Sequence, residues 1–175
     1  ACAINPADLL QLEGRYGVEP PPLPAIGGGE GVGIVRQLGP GVSHLKAGDR
    51  VLLLFAGRGN WRKQVKAKAA KLFALPKADP LQLAMLTVNP ATALLMLKSF
   101  IDLKPGDWVI QNAANSGVGH NVIVLAKKFG LRSLNIVRRA SLIDELKQQG
   151  ADEVLVDGPD LGQRVKAITG KDAAP

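Results

Sequence analysis

Residues 109–139, VIQNAANSGVGHNVIVLAKKFGLRSLNIVRR, divide into an apolar run, a glycine-containing turn, a stretch with helical spacing and a second apolar run. Val118, Val122, Leu125, Ala126 and Phe129 recur at the period of a helix, and Gly130 marks its stop. Strand, turn, helix and strand over about thirty residues form a βαβ unit, which sets a nucleotide pyrophosphate against a helix N-terminus where unpaired N–H groups and the helix dipole favour negative charge. The turn departs from G-x-G-x-x-G, because Ala114, Ser116 and Gly119 hold its three positions, with Gly117 in addition. Alone such a turn is a weak signal, and glycines serving packing are its other reading; the flanking strand and helix favour the nucleotide. Where an NAD enzyme closes the second strand with a carboxylate for the ribose hydroxyl, this chain has Arg138 and Arg139. Two guanidinium groups suit a 2'-phosphate, so the cofactor expected is NADPH. A solvated strand edge is the plainer reading of the pair.

Composition bounds the rest. With 175 residues, 46% of them hydrophobic, the chain can bury a sizeable core. A net charge of +7 and a pI near 9.8 suit an anionic ligand, NADPH or a CoA ester, and would equally suit nucleic acid. Only 4% of residues are aromatic and the lysines run from Lys46 to Lys171 without a dense patch between aromatics, which argues against nucleic acid as a partner. A single cysteine, Cys2, leaves no disulfide framework or structural zinc cluster, and a reducing compartment follows as the default. No apolar run approaches the roughly twenty residues that cross a bilayer, so no membrane partner is expected.

Along the chain the character changes. The first 75 or so residues carry short β-like runs, Val32 to Leu38 and Arg50 to Phe55, broken by PPPLP, GGGEGVG, GPGV, AGDR and AGRGN, which read as an irregular all-β portion. PLQLAMLTVNPATALLMLKSFI switches to helical spacing, with Asn89 as an N-cap and Pro90 at the first helical position. Three strands can be placed after it: Trp108 to Asn112, Ser133 to Val137 and Glu153 to Val156. A complete dinucleotide fold has about six. With Ala1 in first place and AITGKDAAP at the close, both ends are expected to be missing.

The motifs INPADLLQLEGRYG, PAIGGGEGVGIV, LGPGV, KAGDRV, GNW, VNPATALLML, KPGDWVIQNAANSGVG and KQQGADEVL, in this order, resemble the medium-chain dehydrogenase/reductase superfamily. Within it they resemble the NADPH-dependent trans-2-enoyl-CoA reductases of mitochondrial fatty-acid synthesis. The resemblance implies an α/β chain: a partial GroES-like β domain over residues 1–85 and a partial, doubly wound parallel Rossmann sheet over residues 86–175. It implies a metal-independent reductase of the 2,3 double bond of an enoyl thioester, a homodimer when full length, in the mitochondrial matrix or a bacterial cytoplasm. An NADPH:quinone reductase and a non-catalytic, crystallin-like NADPH-binding protein are the alternatives.

The zinc enzymes of this superfamily carry their β-domain Cys and His ligands at positions that fall here on or beside Asn5 and on Gly29, neither of which is a good zinc donor. Glu30 remains beside them and reads as a structural acceptor, with half of an acid/base pair as the other reading. Tyr16, the only tyrosine, matches the catalytic tyrosine of the enoyl reductases; read without the motif it is a loop anchor. By the same resemblance Asn89, Asn115, Ser116, Gly117, Val118 and Gly119 contact the cofactor and Arg138 its 2'-phosphate, while the acidic residue and second arginine that often follow are here Arg139 and Ala140. His44 and His120 read as surface or packing residues. Trp61 and Trp108 read as packing at the domain edge and at the strand entry.

Overall fold

The computed structural model describes residues 1–17, 22–53 and 59–170. The chain divides into two compact units, Ala1–Val88 and Asn89–Pro175.

The first unit opens with a helix that the all-β reading did not foresee, α1 (Pro6–Leu12). Proline at its start and a capping carboxylate explain it: Asp8 accepts the Asn5 backbone N–H at 2.8 Å and the Gly29 N–H at 2.9 Å, so one buried side chain fixes the helix start and ties it to the glycine run. The strands β1 (Val32–Ile34), β2 (Arg50–Leu53) and β3 (Leu72–Ala74) form an antiparallel sheet in that order. β1 is shorter than the apolar run Val32 to Leu38, although Val35 still exchanges backbone bonds with Gly48 and Asp49. Leu54 and Phe55 of the second run lie outside the described residues. Leu45, Val51 and Leu53, with Val65, Ala69 and Leu72 beside them, form the core under the sheet. A short helix α2 (Pro80–Leu83) follows, its start capped by Asp79, which accepts the Leu81 N–H at 2.9 Å.

The second unit begins with α3 (Asn89–Lys98), the longer of the two helices in the stretch with helical spacing. Asn89 is the first helical residue instead of the cap, so the helix starts one residue earlier than the sequence reading placed it. The parallel sheet has the order β4 (Trp108–Gln111), β5 (Arg132–Val137), β6 (Glu153–Val156). Between the strands run α4 (Gly117–Lys128) and α5 (Ile143–Gln149), with α6 (Leu161–Thr169) after the third. Two clusters hold these layers. Ile123 of α4 packs with Val137, Leu146 and Val154, and Val122 and Ala126 of the same helix pack with Ala93 and Leu97 of α3. α4 ends as the sequence predicts, with Gly130 at φ +72° reversing the chain into β5.

Candidate functional site

The turn between β4 and α4 is built by close approach. Ser116 caps the helix, its hydroxyl accepting the Gly119 N–H at 3.1 Å, and Ala113 adopts φ +47°, which closes the turn with a 2.8 Å bond from Ser116 N–H to Ala113 O. A Cβ on Gly119 would stand 2.4 Å from the Ala114 carbonyl oxygen, so only glycine lets the helix sit this close to the strand. A Cβ on Gly117 would stand 2.5 Å from the Asn89 side-chain nitrogen, so the amide of α3 lies directly over the mouth of α4.

The N–H groups of Asn115, Gly117 and Val118 have no partner among the described residues, whereas those of Ala114, Ser116, Gly119 and His120 do. Three unpaired donors at a helix mouth lined by Gly and Ser offer hydrogen bonds suited to a phosphate. Val118 offers only its backbone, because its side chain packs into the α3–α4 core. The Asn89 amide has no hydrogen-bond partner among the described residues and is half-buried at the same mouth.

The Ala114 N–H donates to Ile136 O at 3.3 Å, which joins the turn to the end of β5 two residues before Arg138. Arg138 and Arg139 follow immediately, both exposed and in no ion pair among the described residues. These features fit a dinucleotide with a charged ribose.

Below the turn lies a polar line that sequence reasoning missed. The fully buried Asn135 accepts from Gln111 Nε2 at 2.7 Å and donates to Glu153 O at 3.0 Å and Ser133 Oγ at 3.1 Å. Gln111 also donates to Gly119 O at 3.0 Å, and Asp152 accepts the Ser133 N–H at 2.7 Å. Parallel strands covered on both faces are ordinarily apolar throughout. Ser133 and Asn135 alternating within SLNIV were the signal.

In the first unit Tyr16 follows α1, 45% exposed, with no hydroxyl partner among the described residues. Glu30 is fully buried and accepts three bonds, from Asn5 Nδ2 at 2.9 Å and from the Thr87 and Val88 N–H groups at 3.2 Å each. It works as an acceptor that pins Asn5 and the chain after α2. The Asn5 amide therefore faces Glu30, and Gly29 offers no donor atom beyond its backbone. The Trp61 ring covers Gly27 and Gly28, where added Cβ atoms would fall within 2.6 Å of it, and its N–H donates to Ala3 O at 2.9 Å. His44 pairs with Ala69 O and His120 with Gln149. Asp102, in the exposed turn before β4, is held below the usual carboxylate range by its hydrogen bond to Lys104 and then by that ammonium's charge, an effect confined to that turn.

Residues 1–77 match the alcohol dehydrogenase GroES-like domain family. The chain is 48% identical over 162 residues to the mitochondrial enoyl-[acyl-carrier-protein] reductase of Rattus norvegicus, covering 90% of this chain and 43% of that protein. Its fold is similar to that of Etr1p in complex with NADP and crotonyl-CoA, with a TM-score of 0.84 at 27% identity over 95% of this chain and 54% of that one. The Escherichia coli quinone oxidoreductase complexed with NADPH gives a TM-score of 0.84 at 32% identity, over 97% and 52% of the two chains. Its first part carries the alcohol dehydrogenase GroES-like domain, and along its length the chain is similar to members of the medium-chain dehydrogenase/reductase superfamily. It spans about half the length of the curated relatives it matches. The superfamily's two-part plan accounts for the antiparallel sheet in the first unit and the parallel sheet in the second.

Proposed function

We propose that this chain carries the nucleotide turn and the proton-donating tyrosine of an NADPH-dependent, metal-independent reductase of the 2,3 double bond of trans-2-enoyl-CoA. The observation that carries the reading is the bond from Ala114 to Ile136, which couples the turn with its unpaired N–H groups to the strand end bearing Arg138 and Arg139. Similarity to enoyl reductases over 90% of the chain supports the substrate class.

When bound, NADPH supplies a hydride to the β-carbon of the enoyl thioester. The N–H groups of Asn115, Gly117 and Val118 hold the pyrophosphate, aided by Ser116 and by the close packing at Gly119. Arg138 and Arg139 pair with the 2'-phosphate, a charge-assisted contact that NADH cannot make. Asn89, seated over Gly117, orients the cofactor at the helix mouth. As negative charge grows on the thioester oxygen, the Tyr16 hydroxyl donates a hydrogen bond to it and then passes its proton to the α-carbon. The Asn5 amide engaged by Glu30 supports chemistry without a metal at that place.

The test is loss of NADPH absorbance with crotonyl-CoA. Turnover with enoyl-CoA supports the reading, and turnover with quinones alone would replace it with the quinone reductase that the second structural likeness favours. NADPH binding without either reaction would make the protein a non-catalytic binder. The relatives are mitochondrial enzymes, so the matrix is the proposed compartment. A homodimer is the proposed assembly, to be read by sedimentation.

A further inference from the structure

Between Asp49 and Asp79 the sequence has no carboxylate, while Lys63, Lys66, Lys68 and Lys71 follow one another closely. The overall charge of +7 is therefore concentrated locally, which a survey of lysine spacing along the whole chain conceals. The structure shows how the run is presented. Val65, Ala69 and Leu72 pack beneath it against Leu45, Val51 and Leu53. The intervening lysines are thereby turned outward, and all four are exposed. None takes part in an ion pair among the described residues. Arg62, in the same run, is engaged locally, its Nε donating to Gly59 O at 2.6 Å. Beyond Lys71, on the edge strand β3, Phe73 is 59% exposed.

Three features select the partner. Lysine ammoniums are compact, strongly hydrated point charges that suit scattered carboxylates, whereas a phosphate clamp is better made from the guanidinium fork. No aromatic residue interrupts the lysine run, so the bases of single-stranded nucleic acid find no stacking platform along it. The apolar side of the segment is already consumed by the core, which leaves the single side chain of Phe73 where a lipid surface would call for a continuous apolar face. What fits is a protein surface rich in carboxylates, with one apolar side chain to rest on Phe73.

We propose that the strip Lys63, Lys66, Lys68 and Lys71 docks an acidic carrier protein that bears the enoyl group as its thioester. The choice of carrier rests on the enoyl-thioester reading above, and the similarity to enoyl-[acyl-carrier-protein] reductases agrees with it. Four unpaired cations facing an acidic surface raise the encounter rate and make it fall with salt, while contributing little to the chemical step.

The experiment uses the full protein and a purified acyl carrier protein of net negative charge, first without an acyl group. Binding is titrated in low and in physiological salt for the natural protein, for a variant with all four lysines changed to Glu, and for one with all four changed to Gln. Thermal melts confirm that both variants are folded. Expected is at least a tenfold loss of affinity for the Glu variant, a smaller loss for the Gln variant, and weakening with salt in the natural protein only. In turnover, KM for the enoyl carrier rises by the same factor in the Glu variant with kcat unchanged, while KM for enoyl-CoA moves less than twofold. Equal binding by all three proteins overturns the proposal, as does preference of the strip for single-stranded RNA or anionic vesicles over the carrier. Absence of turnover with every enoyl thioester, with lysine-dependent carrier binding intact, defeats the catalytic reading and leaves the docking strip standing.

Discussion

Among single side chains, the proposed proton donor Tyr16 is the most exposed to test. Replacing it by Phe removes one hydroxyl from an exposed bend and nothing from a core, so the fold should be unchanged. Loss of a positioned acid and oxyanion donor should lower kcat by about 10² or more, with NADPH affinity retained. Unchanged turnover would remove the phenol from the mechanism and leave it as the loop anchor. Gly119 makes the opposite kind of prediction. Gly119→Ala puts a methyl 2.4 Å from the Ala114 carbonyl oxygen, and the helix has to retreat. A loss of about 1–3 kcal/mol in denaturant stability is expected, together with weaker NADPH binding. Gly117→Ala meets only the end of the Asn89 side chain, which can swing away, so its stability cost should be smaller while cofactor affinity still drops. Both glycines were legible as part of a tight turn between strand and helix, but which of them serves strand contact and which serves Asn89 emerges only in three dimensions.

At the scale of elements, the βαβ unit was readable because its pattern is local: an apolar strand, a helix of period 3.6 and a left-handed glycine stop at Gly130. The first half was less readable. α1 is a seven-residue helix held mainly by Asp8, whose second bond goes to Gly29, a partner distant in sequence. No periodicity announces a helix of that kind, so it passed for irregular structure. The offset at Asn89 has a similar origin, since Val88 is held by Glu30 and the helix takes up its turn directly after it. The polar line through β5 escaped for a related reason: two small polar residues in an apolar strand look like noise until Gln111 and Asp152 are brought beside them. That line should matter to the site above it. Asn135→Leu removes one of the two acceptors of the Gln111 amide and the side-chain donor to the Glu153 carbonyl, at a cost of about 1–3 kcal/mol in a chemical-denaturation measurement. A destabilisation below a few tenths of a kcal/mol would show that the network is incidental.

For the molecule as a whole, two units with separate cores divide the labour. One holds Tyr16, Glu30 and the lysine strip, and the other holds the proposed nucleotide turn with Arg138 and Arg139. Fold class came through in the sequence because the change from short β runs to the βαβ pattern is a change of period, whereas the acceptor pocket depends on contacts that no period encodes. Metal-independence is tested on the intact protein: prolonged dialysis against a chelator should leave enoyl reduction unaltered, and activity restored only by zinc would refute the reading of Asn5 and Gly29. The central claim is electrostatic, that guanidinium groups after β5 hold a phosphorylated ribose. The measurement that reaches it most directly is the Kd for NADPH and for NADH, by fluorescence titration, of the natural protein and of the variant with Arg138 and Arg139 both changed to Gln. The account predicts a natural preference for NADPH and a loss of about 1–3 kcal/mol for NADPH in the variant, with NADH nearly unaffected. Equal weakening of the two cofactors, or no weakening of either, would contradict it.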